Sequence, residues 1–258
     1  GIAEQDLIGT AAGLAAAGKI AFASTFAIFA TGRAWEIVRQ SVCLPNANVK
    51  VVATHGGLTV GQDGATHQAL EDVAIMRALP NMQVVVPADA HETAAVIKYA
   101  AETSGPFYIR LTREKFPIVC EETMTFELGK STVLREGTSA TVAACGLMVS
   151  YALEAAEILE KEGISLEVIN ASSIKPLDSN TIITSAKKTG KVITVEEHNH
   201  IGALGGAVAE LLSEKHPTPV KRIGVEDSFG RTGKAPDVLD HFGLSVPKIT
   251  AQIREFLK

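Results

Sequence analysis

Short runs of almost purely apolar residues alternate with stretches of helical spacing along the whole chain. Few architectures accommodate that alternation. Residues 20–24, 49–54, 82–86, 107–111, 141–144, 166–170, 192–195 and 220–225 read as strands. Strands without an apolar–polar alternation are buried on both faces, which is the habit of parallel sheets. Between them, residues 4–17, 29–42, 68–79, 149–162, 180–188, 203–214 and 246–257 carry helical patterns. Asp89 stands where its carboxylate would accept from the free amides of a helix running to about residue 103. The pattern predicts an α/β fold with mostly parallel sheets flanked by helices. Residues 114–129 break the rhythm with Pro117 and the acidic pair Glu121 and Glu122. That stretch reads as a linker, dividing the chain into domains at 1–120 and 121–258.

Composition removes several function classes. The 258 residues are 46% hydrophobic and 21% charged, as in globular proteins, and the net charge is −5 with no long basic run. A nucleic-acid grip needs clustered Lys and Arg, so none is expected. Cys43, Cys120 and Cys145 are too far apart for a disulfide framework or a zinc pattern, which points to a reducing, cytoplasmic setting. Residues 7–32 carry a single charge, Lys19. A Lys at the centre of a membrane span costs about 3 kcal/mol, so a buried helix, a turn at Gly18 and a strand are expected there instead of a membrane anchor. Glu4 and Asp6 stand where a secretory leader would be basic, and no signal peptide is expected.

The chemistry concentrates in one loop. In open α/β sheets, ligands bind at the carboxyl ends of strands. The strand at 49–54 runs into residues 54–67, which hold four glycines, His55, His67 and Asp63. Glycines let a backbone approach a ligand closely, and imidazoles move protons near neutral pH. A flexible glycine-rich loop offers no fixed cage for zinc, so no metal site is expected here. Glu4 opens a helix otherwise made of small and apolar residues; by composition alone it is a first-turn acid complementing the helix dipole or a functional carboxylate. Phe26 and Phe29, just beyond a strand, are core rings or a platform for a flat ligand. Residues 202–206 open a helix with three glycines but lack the dinucleotide fingerprint. Glu196, Glu197 and His198 form either a polar strand end or a second functional cluster.

Taken together, these segments resemble the transketolase family of thiamine diphosphate enzymes. Residues 1–6 are similar to its activating-glutamate motif, 24–29 to its pyrimidine-stacking segment, and 53–68 to its substrate loop. Residues 110–113 are similar to its phosphate-reading strand end, and 195–198 onward to its C-terminal domain. The resemblance implies a thiamin-diphosphate pyrimidine-binding domain followed by a transketolase C-terminal domain. It makes Glu4 the carboxylate that bonds the coenzyme's pyrimidine, with a raised pKa, and Phe26 and Phe29 the stacking rings. His55 and His67 become proton-moving catalytic residues that also bind substrate. Asp63 reads a sugar hydroxyl and Arg113 the sugar phosphate, with Arg110 as the alternative or as a structural ion-pair partner. Where the family has a third ring, this chain has Gly32. Nothing matches the family's Gly-Asp-Gly…Asn motif for Mg²⁺ and diphosphate, so the resemblance implies a partner N-terminal subunit carrying that half, with homodimerisation of this chain. A deoxyxylulose phosphate synthase, a 2-oxoacid dehydrogenase β subunit and a non-catalytic assembly subunit are the competing expectations.

Overall fold

The protein is described by a computed structural model covering residues 2–258. Its strands are β1 (Ala21–Phe26), β2 (Val49–Thr54), β3 (Gln83–Val85), β4 (Phe107–Arg110), β5 (Thr132–Arg135), β6 (Ala140–Ala144), β7 (Leu166–Asn170), β8 (Ser173–Lys175), β9 (Val192–Asn199) and β10 (Val220–Val225). They build two sheets, ordered β1-β2-β4-β3-β8 and β10-β9-β6-β7-β5. In each, four strands are parallel and one edge strand is antiparallel: β8 on β3 and β5 on β7. The two-layered α/β reading therefore holds, with an antiparallel rim the apolar runs did not announce. β5 is largely exposed and β8 is three residues long, so neither shows the buried Val-rich signature.

The strand β8 belongs to the second half of the chain but closes the first sheet, so the two halves share a backbone hydrogen-bonded edge. Apolar cores lie on the sheet faces. One gathers Ile8, Val38, Val51, Met76 and Tyr108 with Ile169 and Ile182 of the second half; another gathers Leu147, Leu159, Leu166, Ile193 and Ile253. Helix Glu4–Ala16 buries Ile8, Ala11 and Ala12, the spacing of one face. Helix Val246–Leu257 has Pro247 in its first turn, where no amide partner is lost, and turns Ile249, Thr250 and Ile253 inward. Asp89 caps helix Ala90–Glu102 as expected, accepting from the Glu92 amide at 2.9 Å. The same side chain takes the Val119 and Cys120 amides at 2.7 Å, so it also ties down the linker.

Three helical expectations needed revision. Residues 29–42 do not form one regular helix: wide-coiled turns at Phe29–Arg33 and Val38–Cys43 flank a single α turn. The helix expected over 68–79 shrinks to Asp72–Arg77, because Gln68 turns inward to bond backbone carbonyls. Helix Ala235–His241 was not expected at all. One charge also sits inside an apolar strand: Lys50 of β2 is wholly buried, its Nζ donating to the Thr103 and Gly105 carbonyls at 2.7 and 2.6 Å. Among the described residues, no helix is long and apolar enough to cross a membrane.

Candidate active site

Parallel order brings the candidate residues together. β1, β2 and β4 are neighbours, with Phe26 opposite Thr54 and Ala53 opposite Arg110. Their carboxyl ends therefore deliver Phe26, His55 and the 110–113 segment side by side. The turn after β1 adds Phe29, whose ring stacks on that of Phe26 with centroids 6.1 Å apart and planes 10° off parallel. His55 lies flat on Phe26 at 3.7 Å. His67 meets Phe29 edge-on at 5.4 Å and Phe26 at 6.4 Å. His55 takes a left-handed φ of 58°, uncommon for a side chain of this size, and its Nδ1 is 3.0 Å from the Thr54 hydroxyl. Non-glycine residues held in that region are often found at functional sites.

Glu4 reaches the same cluster from helix Glu4–Ala16. Its carboxylate is buried, and Arg33 Nη1 donates to Oε2 at 2.6 Å. The Arg33 guanidinium also lies 4.6 Å over the Phe29 ring. Arg33 was not among the sequence-derived candidates, although Phe29 and Arg33 are spaced i, i+4 and thus share a helical face. Its bond holds the Glu4 carboxyl below the usual carboxylate range, outweighing burial. This corrects the expectation of a raised Glu4 pKa: the neighbour of this carboxylate is a cation, not an apolar wall.

Arg113 Nη1 donates to the Val60 carbonyl at 3.0 Å and lies 3.5 Å from Asp63 Oδ1. Arg113 and Asp63 are partly exposed, so this pair is open to solvent and available to a ligand. Burial, then the Arg113 cation, pushes the His55 pKa down, while Asp63 pulls it up. His55 is therefore neutral near pH 7 and able to accept a proton. Glu4 thus reaches Phe29 through Arg33, Phe26, Phe29, His55 and His67 form one ring cluster, and the Arg113–Asp63 pair acts on His55 through charge. Among the described residues, no group of three His, Cys, Asp or Glu side chains could hold a metal ion.

Arg110 is a structural residue, as its alternative reading anticipated. It is buried, donates to Asp72 at 2.9 Å, and ties the carbonyls of Ala69 and Glu197. Tyr108 donates to the same Asp72 oxygen at 2.6 Å. Glu196, Glu197 and His198 are buried too. Glu196 accepts the Leu204 and Gly205 amides at 2.9 and 2.8 Å, and burial raises its pKa to about 7. The glycines after β9 therefore wrap a carboxylate of the protein itself. A Cβ at Gly205 would lie 2.8 Å from the Thr194 hydroxyl and 2.9 Å from Glu196 Oε1.

The Arg33 guanidinium sits between the Glu4 carboxylate and the Phe29 ring. Fold and site together define an α/β chain that gathers an acid, two rings and two imidazoles at the ends of parallel strands. The family described as "Transketolase, pyrimidine binding domain" matches residues 1–118, and "Transketolase, C-terminal domain" matches 129–249. The chain belongs to the transketolase family. It is 49% identical over 261 residues to a putative transketolase C-terminal section of Methanocaldococcus jannaschii, covering all of this chain and 82% of that one. It is 43% identical to a 6-deoxy-6-sulfo-D-fructose transketolase subunit of a Clostridium species, covering 99% of this chain and 79% of the other. A solved structure described as a split gene transketolase, inactive β4 tetramer, superposes with a TM-score of 0.92 at 52% identity, covering 100% of this chain and 82% of that one.

Proposed function

We propose that this chain is the pyrimidine-binding subunit of a split, thiamine diphosphate-dependent transketolase. It would move a two-carbon ketol unit from a ketose phosphate to an aldose phosphate, together with a partner chain that holds Mg²⁺ and the diphosphate. The observation that carries this reading is the buried Glu4 carboxylate paired with a flat cation stacked on Phe29. When bound, the coenzyme supplies a carbon nucleophile and an electron sink. This chain supplies position and electrostatics.

Glu4 binds the pyrimidine nitrogen and shares a proton with it, and Phe26 and Phe29 fix the ring plane. Arg33 occupies the same carboxylate and ring face, so it would have to leave Glu4 for the pyrimidine to be held there. His55, neutral near pH 7, takes a proton from a donor hydroxyl, and His67 serves the same end from across the rings. Asp63 accepts from a sugar hydroxyl. Arg113, whose planar fork suits two phosphate oxygens, binds the phosphate. Two copies of the chain associate in the working enzyme. The relative described as an inactive β4 tetramer is in keeping with a subunit that needs its other half. The three buried, unpaired thiols suit the cytoplasm.

The deciding experiment is Glu4→Ala in enzyme reconstituted with its partner. Ketol transfer should fall by about 10²-fold or more, the size of effect seen when proton-handling groups are removed. Transfer at the wild-type rate would overturn the assignment and favour an assembly subunit. Release of CO₂ from pyruvate during turnover would favour the deoxyxylulose phosphate synthase or 2-oxoacid dehydrogenase reading.

A further inference from the structure

The loop that carries His55, Asp63 and His67 is held from behind by the second domain. The residue at the centre of that contact is Glu197. We propose that Glu197 is a positioning residue for sugar recognition, donated by the C-terminal domain; this rests on reading residues 54–68 as the sugar loop.

Glu197 lies on β9, and its Oε1 accepts the Thr59 amide at 2.6 Å across 138 positions of sequence. Burial raises the pKa of this carboxyl, against the Arg110 charge and the Thr59 and Leu58 amides, which favour its ionised form. Leu58 and Thr59 open a short 3₁₀ turn, which ends at a kink at Gly61 (φ 74°, ψ −111°) before the segment continues to Asp63. The first amides of any helical turn have no partner within it, and a side-chain oxygen normally comes from a residue just ahead in the chain. No side chain next to Leu58 does so here. The cap arrives from the other domain, and Asp63 follows just beyond the kink.

Three further contacts make this a seat for the loop. Gly57, at φ 83°, presses its backbone on the Glu197 carboxylate; a Cβ there would lie 2.5 Å from both Cδ and Oε1. Arg110 fixes the Glu197 main chain through its carbonyl at 2.9 Å while also holding Ala69, to which the Gly57 amide donates at 3.0 Å. At the other end of the loop, Gln68 donates to the Leu58 carbonyl at 3.2 Å and to the Arg231 carbonyl of the second domain at 3.0 Å. Glu197 therefore sets where the loop segment begins, and that segment leads through the Gly61 kink to Asp63. The hydrogen bonds of Glu197 go to backbone, so it acts through the loop and not on the sugar.

The test uses the reconstituted enzyme with Glu197→Gln and Gly57→Ala. The first keeps the shape of Glu197 and one acceptor oxygen but removes the charge that strengthens its bond to the Thr59 amide. The second keeps Glu197 but drives a methyl into its carboxylate. Each variant should speed deuterium exchange at the Thr59 amide. Each should raise KM for the ketose phosphate donor about tenfold or more, the fold-change expected for losing one charge-assisted hydrogen bond. Thiamine diphosphate affinity should not change, because Glu4, Phe26 and Phe29 sit on other elements. The double variant should be little worse than either single one, since both break one contact. Unchanged Thr59 exchange in Glu197→Gln would overturn the proposal. So would faster exchange with an unchanged KM, provided Asp63→Ala raises KM. If Asp63→Ala leaves KM unchanged as well, the sugar-loop reading itself falls and takes the proposal with it.

Discussion

Arg33 and Arg113 act on different groups of the site. Arg33 holds Glu4 ionised and covers Phe29. Arg33→Ala removes a competitor from the pyrimidine cradle, so thiamine diphosphate should bind the reconstituted enzyme about threefold to tenfold more tightly. Calorimetric titration checks this, and weaker binding would mean that Arg33 assists the coenzyme instead. Arg113 works on His55, whose pKa is lowered first by burial and next by the Arg113 charge. A base with a depressed pKa stays neutral to lower pH. Arg113→Ala should therefore move the acidic limb of the pH–rate profile to higher pH. It should also raise KM for phosphorylated donors more than it lowers kcat, and equal losses with unphosphorylated sugars would count against a phosphate role. The loop imidazoles and Asp63 stood out at a strand end, whereas the roles of Glu4, the two rings and Arg113 came only with the family resemblance. Arg33 was not singled out, and Glu197 only as part of a polar strand end or second cluster. Arg33 looks like an ordinary helix-surface charge, and Glu197 meets its loop only through the packing of two domains.

The parallel strands were readable for a physical reason: burial on both faces favours apolar runs, and β2, β4, β6, β7 and β9 are buried along nearly their whole length, with Lys50, Arg110 and Glu167 among the charged interruptions. β5 and β8 escaped because an edge strand needs no such run. The broken helix after β1 escaped because wide turns preserve the apolar stripe while changing the hydrogen bonding. Asp89 shows an element boundary that was legible but carries more than its local role. Its carboxylate receives three amides, two of them from the linker. Burial pushes its pKa up, and the amides bring it below the ordinary carboxylate value. Asp89→Ala should cost about 2 to 3 kcal/mol in chemical denaturation. The sign of its pH dependence follows from the depressed pKa. The stabilisation is present above the unfolded carboxylate's pKa and is lost as pH falls through the folded one. The wild type and the variant should therefore converge in stability toward strongly acid pH.

At the scale of the molecule, the polar contacts that join the halves are buried and numerous. Arg110, itself paired with Asp72, donates to the Glu197 carbonyl of the second half, and Glu92 of the capped helix accepts from Asn170 and Ser172 of the second at 2.9 and 2.6 Å. Breaking a buried pair such as Arg110–Asp72 typically costs about 3 to 5 kcal/mol. The halves should then melt together. Trp35, the chain's one tryptophan, reports on the first half, and circular dichroism at 222 nm reports on both. The two melting curves should coincide, and separated midpoints would show independent domains.

The exchanged edge strand reaches further than stability. A protease that nicks the solvent-facing stretch around Glu114 and Lys115 severs the peptide but not the β3–β8 ladder. The two fragments should stay clasped and co-elute as a single particle until denaturant parts them. Neither piece would be a clean module for swapping into another enzyme: one leaves with a bare flank, the other with a loose finger.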